Sequence, residues 1–502
     1  MTKTMLHKNF TAVFVLMVTA CAPVMQRTPP DKTIQFLLVN DVYIGEPMEN
    51  GRGGIARLKT LNQQLSEKAP VRMMLAGDFL FPSLMSKLYK GAQMVEYFNS
   101  AGLDYATYGN HEFDDSRLTL VNRVAESRFK WTSANCMSAD GTPIPGVSQW
   151  DTLTISGVKV GVFGITLLQA YPRWIKCGNP DSAARATVPK LRAAGAEIVV
   201  GLTHVTRAED STFLANEPGI DFILGGHEHA PQVVTIGNRF VVKADRNAQS
   251  AQLVTLEKRG SEWTRTHRLI PIDASIPAEP QAAALVVRWQ DSLRTRFGPI
   301  EVIATSNVPL DVSNIPVRSR ETKFGNFVAD AIRAGTGSDV VGTIGGAMRY
   351  DDEIPAGEIT NRQIESIFLF PDETRIATFT LSGSRLREIL EHGISRGGGA
   401  WGGYLHLSGV AFEWDSTRAA GTRIADELKR MNGTVIRPTD TITFSINAYT
   451  ACDSGDGYSI PESAAACTRR ESGPRAAQLV IDYMKAQKKI VLPPLGRVRR
   501  IR

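Results

Sequence analysis

Tyr108-Gly109-Asn110-His111-Glu112-Phe113-Asp114 is the stretch on which the fold turns. It closes the apolar run Tyr105–Tyr108 with a dense polar cluster, and the same punctuation recurs along the chain. Asn40-Asp41 ends the run Ile34–Val39, and Gly77-Asp78 ends Val71–Ala76. Thr203-His204 follows Ile198–Leu202, and Gly225-Gly226-His227-Glu228-His229 follows Phe222–Leu224. Between the runs, Ile55, Leu58, Leu61 and Leu65 recur at helical spacing, as do Met94, Val95 and Phe98. Short strands alternating with amphipathic helices imply an α/β layered domain. In such sheets ligands bind beyond the carboxyl ends of the strands, so these polar clusters are expected to converge on one crevice.

A single Gly-Asp or Thr-His at a strand end is ordinarily a turn or a cap. Here the clusters come in series and hold His111, His204, His227 and His229, four of the chain's eight histidines. Asp, Asn and imidazole donors together suit Zn²⁺, Mn²⁺ or Fe rather than Ca²⁺. A carboxylate able to bridge, with donors enough for two ions, points to a two-metal hydrolase.

The chain has 502 residues, 43% hydrophobic and 22% charged, which excludes a disordered polypeptide. That length calls for roughly two to four domains. The proline-punctuated stretch from Ile270 to Pro280, followed by a helical pattern over Gln281–Arg296, divides the chain. The expected organisation is a catalytic domain over 33–273, a linker helix over 274–298, a second α/β domain over 299–495 and a basic tail over 496–502. Arg497, Arg499, Arg500 and Arg502 of that tail read as solvated.

At the N-terminus, Lys3 and Lys8 precede an apolar run, Phe10–Val18, that is short of the ~20 residues a spanning helix needs but suits a secretory signal. Val18-Thr19-Ala20-Cys21 resembles a bacterial lipobox. That resemblance implies a lipoprotein signal peptide over 1–20, acylation of Cys21, a tether over 21–32 and a lipid-anchored protein on the periplasmic side. Ala22 after the Cys favours the outer membrane. Losing Lys3 and Lys8 lowers the net charge from +6 to +4, which is no nucleic-acid footprint. Neither a nucleic-acid polymer nor an obligate protein partner is expected. The remaining Cys136, Cys177, Cys452 and Cys467 allow three pairings; Cys136–Cys177 with Cys452–Cys467 keeps each bridge within one domain.

Over nearly its whole mature length the chain resembles the bacterial periplasmic 5′-nucleotidase/UDP-sugar hydrolase family, which includes animal ecto-5′-nucleotidase. The motifs that carry the resemblance in the first half are Asn40-Asp41, Gly53-Gly54-Ile55-Ala56-Arg57, Ala76-Gly77-Asp78, the stretch 108–114, Leu202-Thr203-His204 and Gly225–His229. In the second half they are Arg318-Ser319-Arg320-Glu321, Phe324-Gly325-Asn326, Gly345-Gly346-Ala347-Met348-Arg349 and Gly455-Asp456-Gly457-Tyr458. The resemblance implies a four-layer α/β/β/α metallophosphoesterase domain, a linker helix about which the second domain swings, and an α/β 5′-nucleotidase C-terminal domain. It implies two divalent ions (Mn, Zn, Co or Fe), with Asp78 bridging, Asp41 and His229 on the first, and Asn110, His204 and His227 on the second. His111, oriented by Asp114, would stabilise the transferring phosphoryl group while a metal-held hydroxide attacks in line. Arg318 and Arg349 match the substrate-binding arginines. Asp456, in the Gly-Asp-Gly turn, either contacts a substrate hydroxyl or simply forms the turn.

The chain departs from the pattern at several points. Tyr43 replaces the histidine of the usual Asp-x-His; it either ligates the first ion or holds a water that does. Asp372 aligns with one wall of the aromatic base sandwich, leaving Phe370 nearby, and Tyr449 fits the other wall with a shift of one residue. Trp401 and Tyr404 either offer alternative stacking or are ordinary packing residues, Ile344 replaces an expected Asn, and Lys323 replaces a small polar residue. The leading expectation is a phosphomonoester hydrolase acting on 5′-nucleotides. The alternatives are a phosphodiesterase or pyrophosphatase acting on cyclic nucleotides or UDP-sugars, and a non-catalytic nucleotide-binding lipoprotein with a degenerate first metal site.

Overall fold

The computed structural model describes residues 30–48, 50–169, 171–350, 353–368, 374–460 and 473–502. Cys21, Phe370 and Cys467 lie outside them.

The first half is built on two facing sheets. A seven-stranded sheet runs in the order Glu262–Pro271, Ser250–Arg259, Lys32–Val39, Val71–Leu75, Tyr105–Thr107, Lys130–Thr132, Val147–Ser148. A six-stranded sheet runs in the order Gln232–Ile236, Arg239–Lys243, Phe222–Gly225, Ile198–His204, Val158–Thr166, Trp150–Ile155. The strands that carry the polar clusters pair in parallel, so their carboxyl ends open toward one edge of the sandwich.

Side-chain alternation explains the layering. Phe36 and Leu38 point between the sheets, where they meet Val160, Val200 and Phe222. Leu37 and Val39 point outward into a core shared with the helices Ile55–Ser66 and Ala92–Ala101. In the other sheet Val200 and Leu202 face the sandwich, while Val199 and Ile223 pack under Pro180–Ala193 and Arg207–Asn216. Strands covered on both faces read as continuous apolar runs, as these do. The result is four layers, helix, sheet, sheet, helix.

The helix Pro280–Phe297 starts on a proline, with Glu279 accepting the Ala282 N–H at 2.7 Å, and ends at Gly298 with φ 75°. Trp289 donates to Glu96 at 2.8 Å, docking this helix on the first half. Beyond it, a four-stranded sheet (Ile376–Ser382, Thr441–Asn447, Val340–Ile344, Leu405–Ser408) packs against the helix Lys323–Thr336.

The basic C-terminus departs from the sequence reading at Arg497, whereas Arg499, Arg500 and Arg502 are exposed as expected. Val498–Arg500 is a strand paired in parallel with Val410–Trp414. Arg497 is buried and ion-paired through two guanidinium nitrogens to Asp330, each at 2.7 Å. A buried guanidinium needs such a partner.

Cys136 and Cys177 form a disulfide across the short strand pair Cys136–Ser138 and Ile175–Cys177. Cys452 is also disulfide-bonded.

Candidate functional site

Asp41, Asp78, His227 and His229 stand just beyond strand ends with φ of 54°, 56°, 90° and 59°. Left-handed backbone is uncommon for residues other than glycine, and such strain concentrates at functional sites. It turns these side chains back over the sheet edge. Close loop-on-loop contact demands two glycines beside them. A Cβ on Gly77 would strike the Gly109 backbone, and one on Gly109 would overlap the Asp78 carboxylate.

Glu112 holds this junction together. Its carboxylate accepts the N–H groups of Asp78 and Phe79, each at 2.8 Å, and of Leu80 at 3.1 Å. It also accepts from Gly109 of its own loop. Burial, with the charge of Asp78, pushes the Glu112 carboxyl up to about 7.

Each cluster acid has one oxygen fixed by the protein and one left toward its neighbours. Asp41 Oδ2 accepts from Asn40 Nδ2 at 2.7 Å and from the His227 N–H at 2.9 Å. Asp41 Oδ1 lies 3.3 Å from His229 Nε2 and 4.0 Å from His204 Nε2. Asp78 Oδ1 accepts the His111 N–H at 2.8 Å, and Oδ2 lies 3.2 Å from His204 Nε2. His204 Nδ1 is 2.8 Å from the Ala76 carbonyl oxygen, which turns Nε2 toward the acids. Among the described residues, Asp41, Asp78 and His204 are a buried group whose ligand atoms lie within 4.8 Å of one another.

The donors fit a divalent cation. His204 Nε2 and Asn110 Oδ1 are buried and make no hydrogen bond; the approach of His204 to Asp78 is an ion pair without hydrogen-bond geometry. Buried polar atoms without a hydrogen bond are rare, and both of these are metal-donor types. Burial pushes Asp78 up, but the charges of His204 and His111 outweigh it and hold the carboxyl well below the usual carboxylate range. Burial opposes charge on His204, yet Asp78 and Asp41 raise its pKa to about 10. The acids draw on whatever positive charge is nearest, which a metal ion supplies without a proton.

The remaining candidates surround this group. His227 sits with its ring 5.2 Å from that of His204, centroid to centroid. The Tyr43 hydroxyl reaches into the cluster, and the Tyr43 N–H donates to Asn247 Oδ1 at 2.9 Å. His111 Nδ1 is 2.8 Å from Asp114 Oδ2.

In the second half, Arg318, Arg349, Tyr449 and Asp456 line one polar cavity of about 290 Å³, with Ile344 on its wall. Arg349 also lines a separate cavity of about 320 Å³ that opens on Tyr43, His111 and His229. Tyr404 is buried in the core, and Trp401 stacks on Tyr458 with ring centroids 6.2 Å apart. Neither Trp401 nor Tyr404 lines the polar cavity. Lys323 begins the helix that Thr322 caps by accepting the Gly325 N–H.

Residues 34–231 match the calcineurin-like phosphoesterase family, and residues 302–462 match the 5′-nucleotidase C-terminal domain. The chain joins a calcineurin-like phosphoesterase domain to a 5′-nucleotidase C-terminal domain. It is 26% identical over 416 residues to bovine 5′-nucleotidase, covering 74% of this chain and 72% of the relative. It is 24% identical to the trifunctional nucleotide phosphoesterase protein of Bacillus subtilis, covering 80% of this chain but 31% of that longer protein. The solved 5′-nucleotidase precursor of Thermus thermophilus superposes with a TM-score of 0.73 at 22% identity, over 93% of this chain and 99% of its own, and so shares the fold. The phosphoesterase domain and the buried Asp41–Asp78–His204 group together support a metal-dependent phosphoesterase.

Two supports of the phosphoesterase site had no role in the sequence reading, although Asn40 stands in its first motif. Lys243, 1% exposed, donates to the carbonyls of Val205 at 2.7 Å and Gly226 at 2.8 Å, next to His204 and His227. Asn40 orients Asp41. Lys243 had a signal, a charge directly after the run Phe240–Val242. Among the described residues, no helix is long and apolar enough to cross a membrane.

Proposed function

We propose that the protein is a two-metal phosphomonoesterase that releases phosphate from 5′-nucleotides. The observation that carries this reading is the position of Arg349, which lines both the polar cavity of the C-terminal domain and the cavity that opens on His111 and His229. A substrate-holding guanidinium thereby stands between the metal-type cluster and a pocket of nucleoside size.

In this reading Asp78, Asp41 and His229, with Tyr43 beside them, would hold one divalent ion, and Asn110, His204 and His227, with Asp78, would hold a second. Such ions lower the pKa of bound water from 15.7 toward about 7 and neutralise charge on the phosphoryl oxygens. The protein's own groups do the rest. His111 gives a proton to the leaving oxygen, and Asp114 fixes the ring that delivers it. The planar forks of Arg349 and Arg318 hold phosphate or ribose oxygens, Asp456 accepts from a substrate hydroxyl, and Tyr449 flanks the base. Anchorage through an acylated Cys21 at the periplasmic face of the outer membrane completes the proposal.

The test is phosphate release from AMP with added Mn²⁺. The expected loss is on the order of 10²- to 10⁴-fold for His111→Ala, and at least as large for Asp78→Ala. Turnover retained in both variants refutes the reading. A parallel comparison of AMP, a cyclic nucleotide and UDP-glucose tests the monoester preference. Cys21→Ser tests the anchor: the protein is expected to leave the membrane fraction.

A further inference from the structure

The cavity of about 320 Å³ that opens on Tyr43, His111, His229 and Arg349 is a different kind of space from the polar cavity of the C-terminal domain. Its apolar walls include Met48, Leu84, Met85, Met94, Tyr97 and Leu293. They come from the loop after Lys32–Val39, from the helices Leu84–Tyr89 and Ala92–Ala101, and from the linker helix. Thioether, aliphatic and aromatic surface dominates, and the volume lies in the range of small-molecule sites. The charged groups on its lining are Glu46, Arg246, Arg349 and Arg362. Burial raises the Glu46 carboxyl above its ordinary value, while the side chain of Gln290 and the charge of Arg362 work against that rise. Ser83, Gln93, Asn247 and Ser366 also line it, beside the apolar side chains.

We infer that this cavity binds the apolar alcohol portion of a phosphate ester whose phosphoryl group sits at its mouth, between His111, His229 and Arg349. The inference rests on the phosphomonoesterase reading and adds a second substrate class to it, alkyl and aryl phosphates. In the reaction, water oxygen bonds to phosphorus and the ester P–O bond breaks. The leaving alkoxide takes up a proton, giving the alcohol and inorganic phosphate. His111 and Arg349 are already placed on the phosphate ester and His229 on the first ion beside it, so the two substrate classes share one reacting centre and diverge at Arg349. A nucleoside extends toward Arg318 and Asp456, an apolar alcohol toward Met94 and Leu293.

Two measurements on the full-length, Mn²⁺-loaded protein test this. The first is calorimetric binding of a phosphonate series from methyl to hexyl. Affinity is expected to rise about fourfold per methylene over the first few carbons, the gain for burying each group. A flat series, or no binding of hexylphosphonate, overturns the inference whether or not any ester is hydrolysed. The second compares kcat/KM for hexyl phosphate and AMP in the wild type and in Leu293→Trp and Met48→Trp. Both positions are only partly buried, so the bulk fills the cavity without entering the core. The expected result is a loss of tenfold or more for hexyl phosphate with AMP little changed. An equal loss for both esters overturns the inference. Failure to hydrolyse either ester in the wild type refutes the phosphomonoesterase reading and leaves the phosphonate series to decide on the cavity.

Discussion

The Tyr43 hydroxyl lies 3.0 Å from His229 Nε2, and 3.3 Å from both Asp41 Oδ1 and Asp78 Oδ2. A neutral phenol has one hydrogen to donate and cannot serve two carboxylates and an imidazole together. The oxygen thus stands among three groups proposed as ligands of the first ion, in the place where relatives of this pattern carry an imidazole. Tyr43→His is expected to strengthen that position. An added ligand worth only about 1.4 kcal/mol tightens binding about tenfold. Mn²⁺ titration followed by phosphate release should show the half-saturating concentration falling by that factor. An unchanged concentration would mean that the phenol is already an equivalent ligand.

The 2.8 Å contact of His111 Nδ1 with Asp114 Oδ2 predicts a pH effect. Burial opposes charge on His111, but Asp78 and Asp114 outweigh it and raise its pKa. The cationic, proton-donating form therefore persists above the ordinary histidine range and is lost as pH rises through the raised value. Asp114→Asn removes one of the two acids, so the alkaline limb of kcat should move to lower pH. The maximal kcat should fall on the order of 10²-fold. Metal content, measured on the purified variant, should not change. A limb that stays in place would assign the acid to another group.

The strand-end clusters were legible because an apolar run followed by Asp, Asn or His is a local pattern. Membership of a particular sheet is not local. Leu37 and Phe36 are both apolar and face opposite layers, so the run Ile34–Val39 says only that both faces are covered. The outer strand Glu262–Pro271 stayed hidden because its solvent-facing positions break any apolar run. Arg497 read as solvated because the partner that buries it, Asp330, lies 167 residues away. The polar cavity was legible through its arginine motifs, whereas the apolar cavity is assembled from residues of many separate segments and has no sequence signature.

Lys243 predicts coupled losses of stability and metal binding. Besides the two loop carbonyls, its ammonium lies 2.5 Å from Glu228 and 2.8 Å from Asp210, whose other oxygen accepts from Thr203 at 2.6 Å. Lys243→Met leaves both acids without their cation, which typically costs about 3–5 kcal/mol. It also frees the segments that carry His204 and His227. Loss of such outer supports weakens metal binding about 10- to 100-fold. Thermal unfolding and Mn²⁺ titration should register both effects. A variant that loses stability but binds metal normally would show that the loops hold their shape without this lysine.

His406 predicts an acid limb of stability in the C-terminal domain. Its ring is fully buried, donates from Nε2 to the Val317 carbonyl at 2.8 Å, and abuts Gly325, where any Cβ would overlap it. Burial lowers its pKa to about 4, against smaller opposing effects of Val317 and Glu321. Above the unfolded value near 6.5 both states are neutral and nothing is lost. As pH falls below it the unfolded chain takes the proton first, so stability declines until pH reaches the folded value, then levels. Between pH 7.5 and 5 the loss is about 2 kcal/mol. Gln at this position can still donate to Val317 and does not titrate, so His406→Gln should flatten that part of the profile. Urea unfolding of the two proteins at both pH values measures the difference. Equal acid losses in wild type and variant would assign the limb to other groups. Because Val317 directly precedes Arg318, a wild-type rise in KM for AMP over the same pH interval, absent in His406→Gln, would show that the buried proton reaches the substrate arginine.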